Sequence, residues 1–286
     1  MNGIYLRFPG ARARALTLSY DDGVFQDARL IRIMQQHGLK GTFNVNSGLY
    51  GPEDLPPVEE RVYDYNCCAN DRMSLSQAKA VYQDCGMELA CHGYSHPHLP
   101  TLYHQQMIWE VINDRYTLEQ NHGGIIRGMA YPSGVYNDEV IEALKQCGIV
   151  YCRTVESTGT FDLPENWLRW HPTAHHSNPK LMELLDRFLG SHIDRYPKLF
   201  YLWGHTYEFD HCNNWHVIED FAASAGGRDN IWYATNLEIY EYVTAYRQLC
   251  WTVDGMRVYN PTCLPVWFET DYGTFCVKPG ETISQI

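Results

Sequence analysis

Three parts of this 286-residue chain carry side chains whose types and spacing suit chemistry. In Thr17-Leu18-Ser19-Tyr20-Asp21-Asp22-Gly23, two adjacent carboxylates follow a strand-like run from Ala15 to Leu18, and Gly23 allows a sharp turn before the next helix. Neighbouring carboxylates repel unless one is protonated or a cation lies between them. That points to a metal site with one acid left over for proton transfer. An Asp-Asp-Gly turn capping the next helix is the alternative. His92 and His96 are four residues apart, a spacing that places both imidazoles on one side of a helical turn. With a single carboxylate they make a two-His-one-Asp set with open positions for water and substrate. Ordinary hydrogen-bonding loop histidines are the alternative here, since the chain has 13 histidines. His205 closes a third stretch, after the apolar run Leu199 to Trp203. Taken together, the three stretches favour the metal reading.

Groups so far apart in sequence need a scaffold that collects them. The chain supplies one by alternating strand and helix signals. Asp27 to His37 carries Leu30, Ile31, Ile33 and Met34 on one helical face and stops at Gly38, before a strand from Gly41 to Asn46. Gly51 to Asp71, rich in Pro, Asn and acids, reads as a long loop. Ser74-Leu75-Ser76-Gln77 has capping-box form and opens a helix that runs to Gly86, followed by the strand Glu88 to Cys91. Helix His104–His122, strand Arg127–Tyr131, helix Asn137–Cys147 and strand Ile149–Cys152 continue the pattern, with a short strand expected at Leu168–His171. Asn178-Pro179 opens a helix bearing Leu181, Leu184, Leu185 and Phe188, and Leu199–Trp203 is a buried strand. Residues 206–229 read as loop with a short helix near Val217–Ala225, before strand Ile231–Ala234 and helix Asn236–Arg247. Such a series predicts an α/β fold, a closed or nearly closed barrel of seven to eight parallel strands. In such barrels reactive groups gather at the carboxyl ends of the strands, where Asp21, Asp22, His92, His96, Pro132-Ser133-Gly134 and His205 all fall. From Trp251 onward, short runs at 251–253, 257–259, 266–269 and 274–278 joined by tight turns predict a small antiparallel β appendage. The expected division is a barrel over 1–247 and an appendage over 248–286.

Composition narrows the function classes. With 45% hydrophobic and 14% aromatic residues the chain buries a large core, and its formal charge of −12 argues against nucleic acid or an anionic membrane as partner. Met1 to Gly10 lacks signal-peptide form, being short and broken by Arg7 and Pro9, and no run of ~18 apolar residues occurs; a cytoplasmic protein is expected. Among ten cysteines there is no C-x-x-C pair, so Cys85, Cys91, Cys147 and Cys152 are expected as packed free thiols and Cys67-Cys68 as loop thiols.

Ser19-Tyr20-Asp21-Asp22-Gly23, His92-Gly93-Tyr94-Ser95-His96, Tyr131-Pro132-Ser133-Gly134 and Leu202-Trp203-Gly204-His205 resemble the successive motifs of the polysaccharide deacetylase family, the NodB-homology carbohydrate esterases, over roughly residues 12–245. The resemblance implies a distorted (β/α) barrel and one divalent metal, commonly zinc, with cobalt, nickel or manganese as other choices. It also implies Asp22, His92 and His96 as ligands, Asp21 as catalytic base and His205 as catalytic acid. A bound cation would acidify a water and polarise an acyl carbonyl while Asp21 takes the water's proton. A backbone N–H near Tyr131 would stabilise the oxyanion, and His205 would protonate the departing sugar nitrogen or oxygen. In the family's third motif an Arg usually stands two residues before the Pro and orients the base; here that position is Ala130. Arg127 and Arg153 are the substitutes in reach, with Arg153 preferred. Trp170 is either an acetyl-pocket wall or core, and Tyr207-Glu208-Phe209-Asp210 either shapes the substrate rim or closes the loop. The function expected is a metal-dependent hydrolase removing acetyl or similar acyl groups from N- or O-acetylated carbohydrate. Alternatives are amide hydrolysis of a non-sugar substrate and a catalytically silent carbohydrate-binding barrel. The sequence leaves oligomeric state open.

Overall fold

The computed structural model describes residues 3–63, 71–190 and 195–285; Cys67 and Cys68 lie outside these residues. Strand β1 (Ile4–Arg7) leads into β2 (Arg14–Asp21), the axis of the molecule. β2 pairs along its whole length with β8 (Lys198–His205). Its other edge is divided between β3 (Gly41–Val45), over Leu18–Asp21, and β9 (Ile231–Tyr233), over Arg14–Leu16. Two strands fanning from one edge force the sheet to curl. All seven residues from Ala15 to Asp21 are buried, which explains a near-continuous apolar run in place of an alternating one.

Helix α1 (Asp27–Gln36) buries Leu30, Ile31, Ile33 and Met34, the face expected from their spacing. α2 (Leu75–Tyr82) opens with the Ser74–Gln77 capping box, both reciprocal bonds being formed, but it stops at Tyr82 instead of running to Gly86. Then follow β4 (Glu88–Cys91), α3 (His104–His122), β5 (Gly128–Ala130), α4 (Asp138–Gln146), capped by Asn137, and β6 (Tyr151–Arg153). β7 (Ala174–His175), α5 (Leu181–Gly190), α6 (Tyr207–His211), α7 (His216–Ala225) and α8 (Asn236–Arg247) complete the barrel region around β8 and β9. The sheet runs β6-β5-β4-β3-β2-β8-β7 with β9 on β2, every ladder parallel. No ladder joins edge strands β6 and β7 among the described residues, so this is the distorted, incompletely closed (β/α) barrel.

Two local expectations change. Residues 168–171 form no strand: Trp167–Arg169 is a short 3-10 turn capped by Asn166, and Trp170 makes an isolated bridge to Arg153 across the barrel's open seam. Residues 206–229 hold two helices, α6 and α7, where loop dominated the expectation. A five-residue helix shows no periodicity, and α6 is fixed by burial of Phe209 against Trp215. The opening residues add a strand outside the barrel sheet. β1 pairs with β12 (Val266–Thr270), itself paired with β13 (Gly273–Val277), while β10 (Cys250–Trp251), β11 (Arg257–Tyr259) and β14 (Thr282–Ser284) form a second antiparallel sheet. Trp170 is 1% exposed among Tyr151, Trp167 and Tyr201, a core residue. No helix among the described residues is long and apolar enough to cross a membrane.

Candidate active site

The motif residues meet at the carboxyl end of the sheet because β2, β4 and β8 lie close together there. Asp21 is the last residue of β2 and is in register with Asn44 of β3 and His205 of β8. Asp22 and Gly23 both take left-handed backbone angles, φ +85° and +66°, so the chain turns sharply and the two carboxylates part. Asp21 points into the barrel, 2% exposed, while Asp22 sits at the rim with its N–H bonded to Asn44 O at 2.9 Å.

His92 and His96 do come together, with ring centroids 4.9 Å apart, but not on a helical turn. Gly93 (φ +74°) and His96 (φ +56°) are left-handed, which breaks the helical path and gives a tight loop. Polar side chains hold that loop. Asn46 Nδ2 donates to the carbonyls of His92 (2.5 Å) and Gly93 (2.7 Å), the His92 N–H donates to Asp114 Oδ2 (2.8 Å), and Glu110 accepts from the Ser95 N–H (2.9 Å) and hydroxyl (2.7 Å).

Arg153 Nη2 donates to Asp21 Oδ2, and Asn44 Nδ2 donates to Asp21 Oδ1 at 2.8 Å. Burial alone would raise the pKa of Asp21, yet Arg153, His92 and His205 outweigh it and bring the group to about 2. Arg127, the other candidate, pairs with Glu241 outside the site. Arg153 is the ladder partner of Ala130, so the guanidinium reaches Asp21 from the strand next to the position where the family motif places its Arg. Its cation lies 4.4 Å from the Trp203 ring centroid.

His92 Nδ1 lies 2.9 Å from Ala130 O, an acceptor only, so Nδ1 carries the hydrogen and the Nε2 lone pair faces the site. Burial pushes this imidazole down to about 4, against the pull of Asp21 and Asp22, and keeps the ring neutral. Asp22 Oδ1 stands 4.0 Å from His92 Nε2 and 3.8 Å from His96 Nε2, and the donor atoms of all three residues fall within 4.8 Å of one another. A neutral buried imidazole with its tautomer fixed by a carbonyl, a second imidazole and a carboxylate fit a divalent cation with open positions. Arg72 also touches this set, Nη2 to Asp22 Oδ1 at 3.0 Å and Nη1 to Asn46 Oδ1 at 3.0 Å. On the far side, His205 Nε2 is 3.8 Å from Asp21 Oδ2 and 4.0 Å from Asp22 Oδ2. Burial lowers its pKa, but Glu208, Asp21 and Asp22 more than compensate and the net shift is upward.

Tyr131 sits differently from expectation. Its N–H donates to Arg153 O at 3.1 Å and its hydroxyl to Leu168 O at 2.8 Å, so neither group points at the carboxylates. The residue continues the β5–β6 pairing, which takes up its own N–H. Sequence reasoning passed over Asn44, Asn46, Arg72 and Asp114. Asn44 in β3 and Asn46 just past its end alternate with Phe43 and Val45, a signal available in the sequence; Arg72 and Asp114 carried none, since each comes from a distant part of the chain.

The chain belongs to the polysaccharide deacetylase family, whose sequence profile matches residues 10–152, half of the 286 residues. Among solved structures, a protein from Mycobacterium smegmatis assigned to the polysaccharide deacetylases shares 15% identity over 85% of this chain and 94% of that one, with a TM-score of 0.60. That likeness shows the fold. A Streptococcus pyogenes deacetylase in complex with acetate is 21% identical over 49% of this chain and 55% of that one, little more than half its length, with a TM-score of 0.40. A family 4 carbohydrate esterase from Streptomyces lividans, also with acetate, is 17% identical over 78% of this chain and 93% of that one, with a TM-score of 0.48. No curated protein matches the sequence.

Proposed function

We propose that the chain is a metal-dependent hydrolase that removes acetyl groups from N- or O-acetylated carbohydrate. The observation that carries this reading is the meeting, at one end of the sheet, of a neutral-imidazole and carboxylate donor set with a separately held carboxylate and a histidine opposite it. Asp22, His92 and His96 would hold one divalent cation, zinc first, with cobalt, nickel or manganese as substitutes. Bound there, the cation would supply Lewis acidity toward the acyl oxygen and a more acidic water. Asp21, kept ionised by Arg153 and Asn44, accepts the proton of the attacking water. His205, its proton retained to higher pH by Glu208, Asp21 and Asp22, donates to the departing nitrogen or oxygen. Water adds to the acyl carbon, the bond to nitrogen or oxygen breaks, and acetate and the free amine or hydroxyl leave.

The test is elemental analysis of the purified protein beside His92→Ala, with acetate release measured for both and for Asp21→Asn. The reading expects about one divalent ion per chain, lost in His92→Ala. Asp21→Asn should keep the ion while turnover falls by roughly 100-fold or more. No ion even after incubation with zinc, cobalt or nickel, or undiminished acetate release in Asp21→Asn, overturns it.

A further inference from the structure

Glu208, on α6 and three residues beyond His205, is surrounded by imidazole nitrogens: His176 Nε2 at 3.0 Å, His175 Nε2 at 3.2 Å and His205 Nδ1 at 3.4 Å. Despite these separations, Glu208 Oε2 and His205 Nδ1 are buried without a well-formed hydrogen bond. Buried polar atoms call for partners, and here one carboxylate serves three imidazoles. The His175 contact is to Glu208 Oε2 and the His205 contact to Oε1, so the carboxylate presents one oxygen to each ring. The donor atoms of His175, His205 and Glu208 all lie within 4.8 Å of one another.

The surroundings are built to hold these groups. His176, 2% exposed, lies between the rings of Phe209 (centroids 4.2 Å apart) and Tyr20 (5.7 Å), against Gly204, where any Cβ would overlap its imidazole. Its Nε2 lies 3.0 Å from Glu208 Oε2. Ser177 Oγ lies 2.7 Å from His175 Nδ1, the outer contact that orients an Nε2 ligand.

We propose that His175 Nε2, His205 Nδ1 and a Glu208 oxygen form a second divalent-cation site, suited to zinc or cobalt, whose occupancy inhibits the enzyme. Without an ion, the Ser177 N–H donates to His175 Nδ1 at 3.1 Å and the ring hydrogen sits on Nε2. With one, that hydrogen moves to Nδ1 and is donated to Ser177 Oγ. His205 must release its Nδ1 proton to solvent, which leaves a neutral ring with one hydrogen on Nε2. Such a ring is a far weaker acid than an imidazolium, so the leaving group goes unprotonated. This consequence rests on His205 being the acid of the proposed hydrolysis; the site itself does not.

Equilibrium dialysis against rising zinc or cobalt, followed by elemental analysis, tests the site on the parent, His175→Ala, Glu208→Gln and Asp22→Ala. Two ions per chain are expected in the parent at saturation. His175→Ala and Glu208→Gln should each retain one, held by Asp22, His92 and His96, which also reports that the variant is folded. Asp22→Ala should keep the other. In acetate release, zinc beyond the first equivalent should suppress the parent roughly tenfold or more and leave His175→Ala unaffected. A parent that saturates at one ion, or a second ion retained in both His175→Ala and Glu208→Gln, overturns the site. Two ions with no acetate release at any zinc level would instead refute the proposed hydrolysis and leave the second site standing.

Discussion

Arg153 and Asp21 form an ion pair in which both partners are almost wholly buried, at 0% and 2% exposure. Such a pair is held less by its own attraction than by the penalty of separating it, since either charge left alone in the barrel has little water to turn to. Arg153→Met keeps the length of the side chain and removes the charge. It should destabilise the fold by about 3–5 kcal/mol in urea unfolding and lower acetate release, whereas Arg127→Met, which breaks a part-exposed pair with Glu241 and the cation contact with the Tyr240 ring, should shift stability by under about 1 kcal/mol. Equal losses in the two variants would remove Arg153 from the site. Asn44 is the remaining anchor of Asp21 and is buried as well.

At the scale of elements, the barrel is tied together by carboxyl groups that accept hydrogen bonds across neighbouring segments. Glu88, at the start of β4, accepts from the Tyr151 hydroxyl (2.6 Å), the Thr42 hydroxyl (2.8 Å) and the Leu237 N–H (2.9 Å). Asp27, at the start of α1, accepts from the Tyr82 (2.6 Å) and Thr206 (2.5 Å) hydroxyls. Burial outweighs these bonds and pushes both groups up to about 7. A carboxyl whose folded pKa lies above its unfolded value of about 4 holds its proton longer in the folded state. Folding therefore binds protons between about pH 4 and 7, and stability falls as pH rises through that window, then levels off. Asp21, depressed to about 2, acts oppositely and only at more acid pH. Urea unfolding at pH 5 and 7.5 should show the parent weaker at 7.5, and Glu88→Gln should shrink the difference by on the order of 1–2 kcal/mol. A difference unchanged by Glu88→Gln would rule out its role.

For the whole molecule, the ends of the chain are joined. β1 is laddered to β12 from Ile4↔Thr270 to Arg7↔Trp267, the Tyr242 hydroxyl donates to Arg7 O and accepts from the Trp267 N–H, and Ala245, Leu249, Val258, Val266, Phe268 and Val277 form a common apolar cluster. We propose 1–247 and 248–286 as the two folding units, with β1 lent by the first to the second. The turn between β10 and β11 is the natural point to cut, with Val253 fully exposed. Proteolysis there should give two fragments that elute together and separate only in denaturant. Fragments that part in plain buffer would show that the β1 contact contributes little.

Features that depend on near neighbours were legible in the residues alone. The capping box at Ser74, the α1 face, the extent of α3 and α8, and the strand from Glu88 to Cys91 follow from spacings of a few residues, and they stand in the structure as read. The motif residues were legible for the same reason: a strand running into Asp21-Asp22-Gly23 or into His205 has only one end at which to present them. Tertiary structure decided the rest. Whether Arg127 or Arg153 reaches Asp21 depends on which strand neighbours Ala130, and β1 acquires its strand only because β12, some 260 residues later, offers unpaired backbone groups. The His92–His96 loop looked helical by its spacing, yet left-handed residues at Gly93 and His96, bonded to Asn46, Asp114 and Glu110, gave it another shape. Glu208 gathers three imidazoles that come from two segments roughly 30 residues apart. Periodicity and turn chemistry act over a few residues, whereas pairing and burial act over distances that only the folded chain defines.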